Sequence, residues 1–257
     1  MGPGKGTGEL REEIMASRNE TNQGAKDLNV QTGDDVRVRD VPLDVKIEHW
    51  EEGILRRLEE LKECLKIIQK ALGDKAQAHM LTETLRQGQV DYIGELLGNT
   101  EFSRIVFQVP EILESSFFVT FYAFLENTLT ALCEIVGRER NLILEVSDLQ
   151  DRGIVGAQTY ITKAAKLSFP DESTCWKDIY VYSKIRNCVV HRHGRVADKD
   201  KELPRGIMEF EKRGLLISLA SGKQISLSEG FCFKFTEIME GFLKEVFQRI
   251  IDKQDNS

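Results

Sequence analysis

The most apolar part of the chain is residues 117–136, which read FFVTFYAFLENTLTALCEIV. Large apolar side chains recur in it at intervals of three and four, from Phe117 through Leu125 to Val136, as on the buried face of an α-helix. Aromatic side chains are concentrated at its start. The stretch therefore predicts a helix at the centre of the core, with the rest of the chain built around it.

Other segments on both sides show the same helical spacing. They are residues 42–73, ending near Gly73; residues 80–97, interrupted around Gly88; residues 154–168, stopped by Pro170; about 174–191, capped by Gly194; and residues 231–251. Residues 197–206 have the composition of a polar loop. Alternating apolar residues around Ser221-Gly222 predict a β-hairpin. The expected fold is all-α: a helical bundle with a small hairpin before the C-terminal helix.

The chain divides into three predicted regions. Residues 1–40 are Gly-rich and polar with few large apolar side chains, which favours a disordered N-terminal arm. Residues 41–100 form an N-terminal helical extension, and residues 101–257 form the main helical domain. We expect residues 41–257 to make one compact unit.

Composition excludes several classes of protein. Of 257 residues, 41% are hydrophobic and 30% charged, as in soluble globular proteins. No run approaches the roughly 18–20 consecutive apolar residues of a membrane span, and the first thirty residues lack a secretory signal. Five cysteines without CxxC spacing predict small core side chains rather than disulfides or a zinc site. We therefore expect a cytoplasmic protein without membrane association.

Familiar cofactor and metal motifs are missing from the sequence. It contains no P-loop, no GxGxxG after a strand, no HExxH and no GxSxG. Its four histidines include two isolated ones, His49 and His79, so a multi-histidine metal site is not expected. We predict no cofactor and no metal.

A basic segment, Lys184–Arg195, interrupts this acidic chain of net charge −7. It carries four formal positive charges, two histidines and no acid. At about 100° per helical residue, Tyr182, Ile185 and Val189 share the buried side. Asn187 and His191, four residues apart, stack on the opposite side.

The position of Arg186 and the role of His191 leave alternatives open. Arg186 falls between the polar face and the core side. His191 could be a core histidine, or a cation near the helix C-terminus that interacts with the macrodipole. Its direction away from the apolar stripe argues against a core histidine and does not argue against a cation near the helix C-terminus.

The string Arg186-Asn187-Cys188-Val189-Val190-His191, at a helix end within an all-helical bundle, resembles the HEPN superfamily. The signature of that family is Arg, four to six residues, then His, often with a polar residue after the Arg. The resemblance covers roughly residues 110–252. It implies a HEPN-type bundle and a metal-independent endoribonuclease, acting in a toxin–antitoxin or antiphage defence system.

The resemblance also implies roles for individual residues. His191 would act as general base or acid in attack of the RNA 2′-OH on the adjacent phosphate, leaving a 2′,3′-cyclic phosphate and a 5′-hydroxyl. Arg186 would hold the phosphate, and Asn187 would orient the phosphate or the imidazole. Glu126 and His193 are the supporting candidates. RNA contacts are assigned to three further basic residues, Lys184, Arg192 and Arg195.

Partners follow from the same resemblance. HEPN ribonucleases are usually homodimers in which two motifs face each other, so a composite active site between two copies is expected. An antitoxin or another defence-system protein is a further expected partner. Some HEPN toxins carry a modifiable Tyr two residues after the His, and here that position is His193. Neutralisation through a modified phenol is therefore not expected.

Two other readings of the chain remain. A HEPN-like module without catalysis would bind a protein partner or a nucleotide in a defence or regulatory complex, and the acidic composition suits it. An all-helical scaffold with a coincidental Arg–His pair is the plainest reading. Glu126 likewise has a plain reading, as a carboxylate at the boundary with solvent.

Overall fold

The computed structural model describes residues 43–87 and 104–252. They hold six α-helices and two β-strands, besides short π- and 3-10-helical turns: α1 (Leu43–Gln87), α2 (Val109–Glu139), α3 (Gly153–Thr159), α4 (Thr174–Arg192), α5 (Glu202–Lys212), β1 (Ile217–Ala220), β2 (Gln224–Leu227) and α6 (Phe231–Asp252). The predicted arm, residues 1–40, and residues 88–100 of the predicted extension lie outside the described residues. A helical bundle with one small hairpin is confirmed for the described part.

The aromatic stretch is the central helix, as predicted. Helix α2 packs against α1, α4 and α6, and its buried side chains include Phe118 and Tyr122. The Phe118 ring lies edge-on to Phe231 at 5.1 Å and to Phe235 at 5.2 Å, measured between ring centroids. Edge-to-face pairs of this kind add specific geometry to the burial of large apolar surface. The core is therefore organised around the first turns of α2.

Within the described ranges, one helical stretch, Arg104–Glu139, is long and apolar enough to cross a membrane by length and composition. It combines a π-helical turn, Arg104–Gln108, with α2. The core helix of a globular bundle satisfies the same criterion, and 44% of the most apolar window is buried inside the protein. The buried apolar side chains of α2, such as Phe118, Leu125 and Leu132, form part of the core of the bundle.

Helix α1 is longer than the sequence predicts, since it runs through Gly73 to Gln87. A glycine inside a helix costs only about 0.5–1 kcal/mol, and good helix formers such as Ala71 and Ala76 flank this one. The helix packs along α6, where the Trp50 and Phe247 ring centroids are 5.6 Å apart. The part of the predicted extension in α1 thereby shares its core with the bundle.

Helix α5 was not predicted, because residues 197–206 have the composition of a loop. Leu203, Ile207 and Phe210 are buried along one face of this helix. Pro204 lies in its first turn, where a missing N–H breaks no helical hydrogen bond. Gly206 sits against Val181 of α4, and a Cβ there would come within 2.8 Å of that side chain. Pro204 and Gly206 are therefore both tolerated in α5 for local reasons that the sequence does not reveal.

The hairpin is confirmed, with β1 and β2 antiparallel and Ile217 opposite Leu227. The predicted helix at 154–168 is present as α3, which continues into a π-helical turn, Tyr160–Ala164. All five cysteines are free. The prediction that all of them are core residues is wrong for Cys64, which is exposed because α1 packs along one side only.

Candidate active site

Helix α4 carries the basic segment and has defined ends. The Ser173 hydroxyl accepts a hydrogen bond from the backbone N–H of Trp176 at 3.0 Å, which caps the first turn. At the other end His193 adopts a left-handed conformation, with φ of 52°, and Gly194 follows with φ of 78°. The Gly194 N–H donates to the Cys188 carbonyl at 3.1 Å. The helix therefore stops where the sequence predicts, immediately before Gly194.

The segment after α4 is paired with the hairpin. The Gly194 carbonyl accepts from the Ile225 N–H at 2.9 Å, and the Val196 N–H donates to the Lys223 carbonyl at 3.0 Å. The Gln224 side chain donates to the His193 carbonyl at 2.8 Å. These bonds hold the end of α4 and the residues that follow it against β2.

The predicted faces of α4 agree with the burial of its side chains. Tyr182 and Ile185 are fully buried and Val189 is half-buried. Asn187 and His191 are exposed on the opposite side. The motif therefore turns its polar residues to solvent.

Arg186 is held by three side chains. Its Nη2 donates to Oε2 of Glu126, and its Nη1 donates to Oδ1 of Asn187 at 2.8 Å. Its guanidinium carbon lies 5.0 Å from the centroid of the Tyr122 ring, a cation–π distance. The side chains of Arg186 and Glu126 are 22% and 23% exposed. Guanidinium has five N–H donors, and the others have no hydrogen-bond partner among the described residues.

Glu126 is brought to Arg186 from α2, sixty residues earlier in the chain. Its carboxylate also packs against the start of α3, because a Cβ on Gly153 would lie 2.5 Å from Oε1 of Glu126. Gly153 has φ of +62°, a conformation that glycine adopts readily. A close approach of this kind fixes the carboxylate on the side away from the guanidinium.

Tyr122 is a site residue that the sequence reasoning missed. It is buried one helical turn before Glu126, so both side chains of α2 reach Arg186. Burial raises the pKa of its phenol, and the Glu126 carboxylate adds to that rise. The sequence signal for this residue is the i, i+4 spacing of an aromatic residue and an acid on the central helix.

His191 is exposed near the end of α4 and makes no hydrogen bond or ion pair with any described residue. It lies one turn after Asn187 on the same face. Arg186 and His191 diverge by about 140° around the helix axis. The structure thus groups Arg186 with Asn187 and Glu126, while His191 stands on the neighbouring exposed surface.

The basic segment is less positive than its sequence implies. Lys184 donates to the Glu202 carboxylate of α5, and this hydrogen bond raises the pKa of the lysine. Arg186 is paired with Glu126. Arg192 and Arg195 are exposed, and neither forms an ion pair within the described ranges. The unpaired positive charge is therefore concentrated at and just after the helix end, where His193 is also exposed.

Among the described residues, no group of three or more His, Cys, Asp or Glu side chains is arranged to hold a metal ion. Comparison with protein-family models, curated proteins and solved structures finds no match to this chain.

Proposed function

We propose that this protein is a metal-independent endoribonuclease of HEPN type. It acts in the cytoplasm as part of a toxin–antitoxin or antiphage defence system, where an antitoxin or another defence protein is its partner. The observation that carries the proposal is the anchored Arg186 beside the exposed pair Asn187 and His191. A fixed guanidinium and an accessible imidazole on one helix supply the two groups that phosphate binding and proton transfer require.

The chemistry follows from these groups. The His191 imidazole takes the proton of the ribose 2′-OH, and the 2′-oxygen attacks the adjacent phosphorus. The bond from phosphorus to the 5′-oxygen breaks, and that oxygen takes a proton from water or a second imidazole. The products are a 2′,3′-cyclic phosphate and a 5′-hydroxyl. The unused N–H donors of Arg186 stabilise the charge that develops on the phosphate.

Anchoring explains why Arg186 is suited to this task. A guanidinium already oriented by Glu126 and Asn187 loses little conformational freedom when it binds a phosphate. The Tyr122 ring below it removes water from one side of the guanidinium. Asn187 retains an exposed amide that can contact substrate beside Arg186.

A homodimer completes the proposed site. Since Arg186 and His191 diverge around the helix, two copies of α4 placed face to face would bring four such groups to one cleft. Exposed apolar side chains near the motif suit an interface: Val190 on α4 and Met208 on α5.

The test is cleavage of labelled RNA by the purified protein in EDTA, with DNA of the same sequence as control. We expect fragments that end in cyclic phosphate from RNA and none from DNA, which lacks the 2′-OH. Fragments with 3′-hydroxyl ends, or equal cleavage of DNA, would contradict the mechanism.

One observation favours the second candidate function, a non-catalytic module that binds a protein partner or a nucleotide. Both Lys184 and Arg186 are paired with carboxylates, and the chain carries a net charge of −7. Such a surface attracts nucleic acid only locally. Intact tRNA, ribosomal and messenger RNA after incubation, together with a stable complex with a neighbouring-gene product, would favour this second function.

A further inference from the structure

Three side chains form an exposed cluster on α4 and α5. The Tyr180 ring is 43% exposed, and the ammonium of Lys184 lies 4.8 Å from its centroid. Lys184 in turn bonds to the Glu202 carboxylate, whose side chain is 78% exposed. The catalytic scheme above uses none of these three residues, and the pairing of Lys184 with Glu202 makes it a poor phosphate ligand.

The cluster shares one face of α4 with Asn187 and His191 of the proposed active site. At about 100° per residue, Tyr180, Asn187 and His191 fall within an arc of roughly 40° on the solvent face of α4. Tyr180 lies about 10.5 Å from Asn187 and about 16.5 Å from His191 along the helix axis. Stacked nucleotides of one strand advance roughly 3.4 Å each, so these distances correspond to a few nucleotides.

The groups in the cluster match the edges and faces of a nucleobase. A tyrosine ring stacks on the π-face of any base. A carboxylate accepts from an exocyclic amino group, as Glu and Asp do from N4 of cytosine, and an ammonium donates to a ring nitrogen or carbonyl oxygen. Such edges are accessible only in unpaired RNA, since protein side chains cannot read the deep groove of an A-form duplex.

We propose that Tyr180, Lys184 and Glu202 form a nucleobase subsite that holds an unpaired, amino-bearing base a few nucleotides from the exposed pair Asn187 and His191. The proposal rests on RNA being the substrate. It assigns single-stranded regions as the substrate class, with cytosine preferred to uracil at the held position. Lys184 then contributes to recognition of the base and not to attraction of the backbone.

The test measures binding separately from cleavage. In the His191→Ala background, fluorescence anisotropy compares labelled single-stranded oligo-cytidine, oligo-uridine and a duplex of mixed sequence. We expect tightest binding of oligo-cytidine. Tyr180→Ala is expected to weaken that binding by roughly 5- to 100-fold, whereas Tyr180→Phe retains it because the ring remains. Glu202→Gln should reduce the preference for cytidine over uridine.

A control variant and the cleavage assay distinguish failure of the subsite from failure of the ribonuclease. Ile67→Ala removes another exposed apolar side chain, on α1, and should leave affinity unchanged. Tyr180→Ala that binds like its parent, or a duplex that binds as tightly as the single strand, would overturn the subsite. Binding that depends on Tyr180 without any cleavage by the wild type would contradict the ribonuclease and leave the subsite standing. Cleavage by the wild type, together with binding that does not depend on Tyr180, would support the ribonuclease and contradict the subsite.

Discussion

At the scale of single residues, Arg186 depends on neighbours that the chain brings from far away. Glu126 and Tyr122 approach it from α2, and Asn187 approaches it from the adjacent position on α4. Helical spacing predicted that Arg186 lies at the edge between core and solvent. The same spacing could not identify its partners, because a contact across sixty residues depends on how two helices pack.

Glu126 provides the first test of this arrangement. Glu126→Ala leaves the guanidinium without its carboxylate, so we expect kcat for RNA cleavage to fall by up to about a hundredfold with a smaller change in KM. Steady-state cleavage of a labelled oligonucleotide measures both constants. Glu134→Ala removes an exposed carboxylate from the same helix and should have little effect. Wild-type kcat in Glu126→Ala would show that the carboxylate has no role in positioning Arg186.

At the scale of secondary-structure elements, the hairpin supports the end of the motif helix. Gly194 both adopts a positive φ and lies against the Gln224 side chain, where a Cβ would come within 2.6 Å of Nε2. Gly214 has a similar φ of +72° with open space around it. Comparing substitutions at the two glycines therefore distinguishes the cost of backbone strain from the cost of a steric clash.

Alanine at each glycine gives the second prediction. Gly214→Ala is expected to lower the free energy of unfolding by about 1–2 kcal/mol through strain alone. Gly194→Ala is expected to cost more, because the added methyl group meets Gln224. Urea denaturation followed by circular dichroism measures both values.

The Gln224→Ala background provides the control for the clash. Removing that side chain should reduce the excess cost of Gly194→Ala, since the atom that the methyl group meets is gone. Equal destabilisation by the two glycine substitutions in the wild type would contradict close packing of the hairpin on the helix end.

Elements with long, regular apolar spacing were predictable, and elements with internal breakers were not. The aromatic stretch, α4 and α6 matched their predicted positions closely because packing and propensity agree there. Gly73 led to a predicted end of α1 that is too early. Pro204 and Gly206 led to the prediction of a loop where α5 is found. In both cases tertiary packing outweighs a local cost of about 1 kcal/mol or less. The local sequence does not indicate which neighbouring helix supplies this packing.

At the scale of the whole molecule, the cations of the basic segment differ in whether a carboxylate neutralises them. Arg192 and Arg195 lack carboxylate partners in the described part of the chain, whereas Lys184 is paired with Glu202. Counterion release makes the salt dependence of RNA binding a measure of how many cations contact phosphates. The distribution of charge therefore predicts which variants change that dependence.

The third prediction concerns this salt dependence. Arg192→Ala and Arg195→Ala are each expected to reduce the slope of log affinity against log salt by about 1. Lys184→Ala should leave the slope near that of the parent. Anisotropy titrations of labelled RNA at several potassium chloride concentrations provide the slopes. A loss of slope in Lys184→Ala equal to that in Arg192→Ala would show that Lys184 contacts the RNA backbone.

The fourth prediction tests the burial pattern across the bundle. Cys64 is exposed and should react with iodoacetamide in the native protein. Cys133 and Cys232 are buried, and burial raises the pKa of the Cys133 thiol to about 12, so both should stay unmodified. Intact-mass spectrometry counts the labels, and five are expected after unfolding. Rapid native labelling of Cys133 would contradict the placement of α2 at the centre of the core.

The most direct test of the central claim compares His191→Ala with His193→Ala. Both variants remove an exposed imidazole near the end of α4, and only His191 shares the face of Asn187. Labelled RNA is incubated with wild type and each variant in EDTA, and initial rates of cyclic-phosphate formation are measured. We predict a loss of about a hundredfold or more in His191→Ala and a much smaller loss in His193→Ala, because the role assigned to His193 is a supporting one. Equal rates in wild type and His191→Ala would contradict general acid–base catalysis by His191.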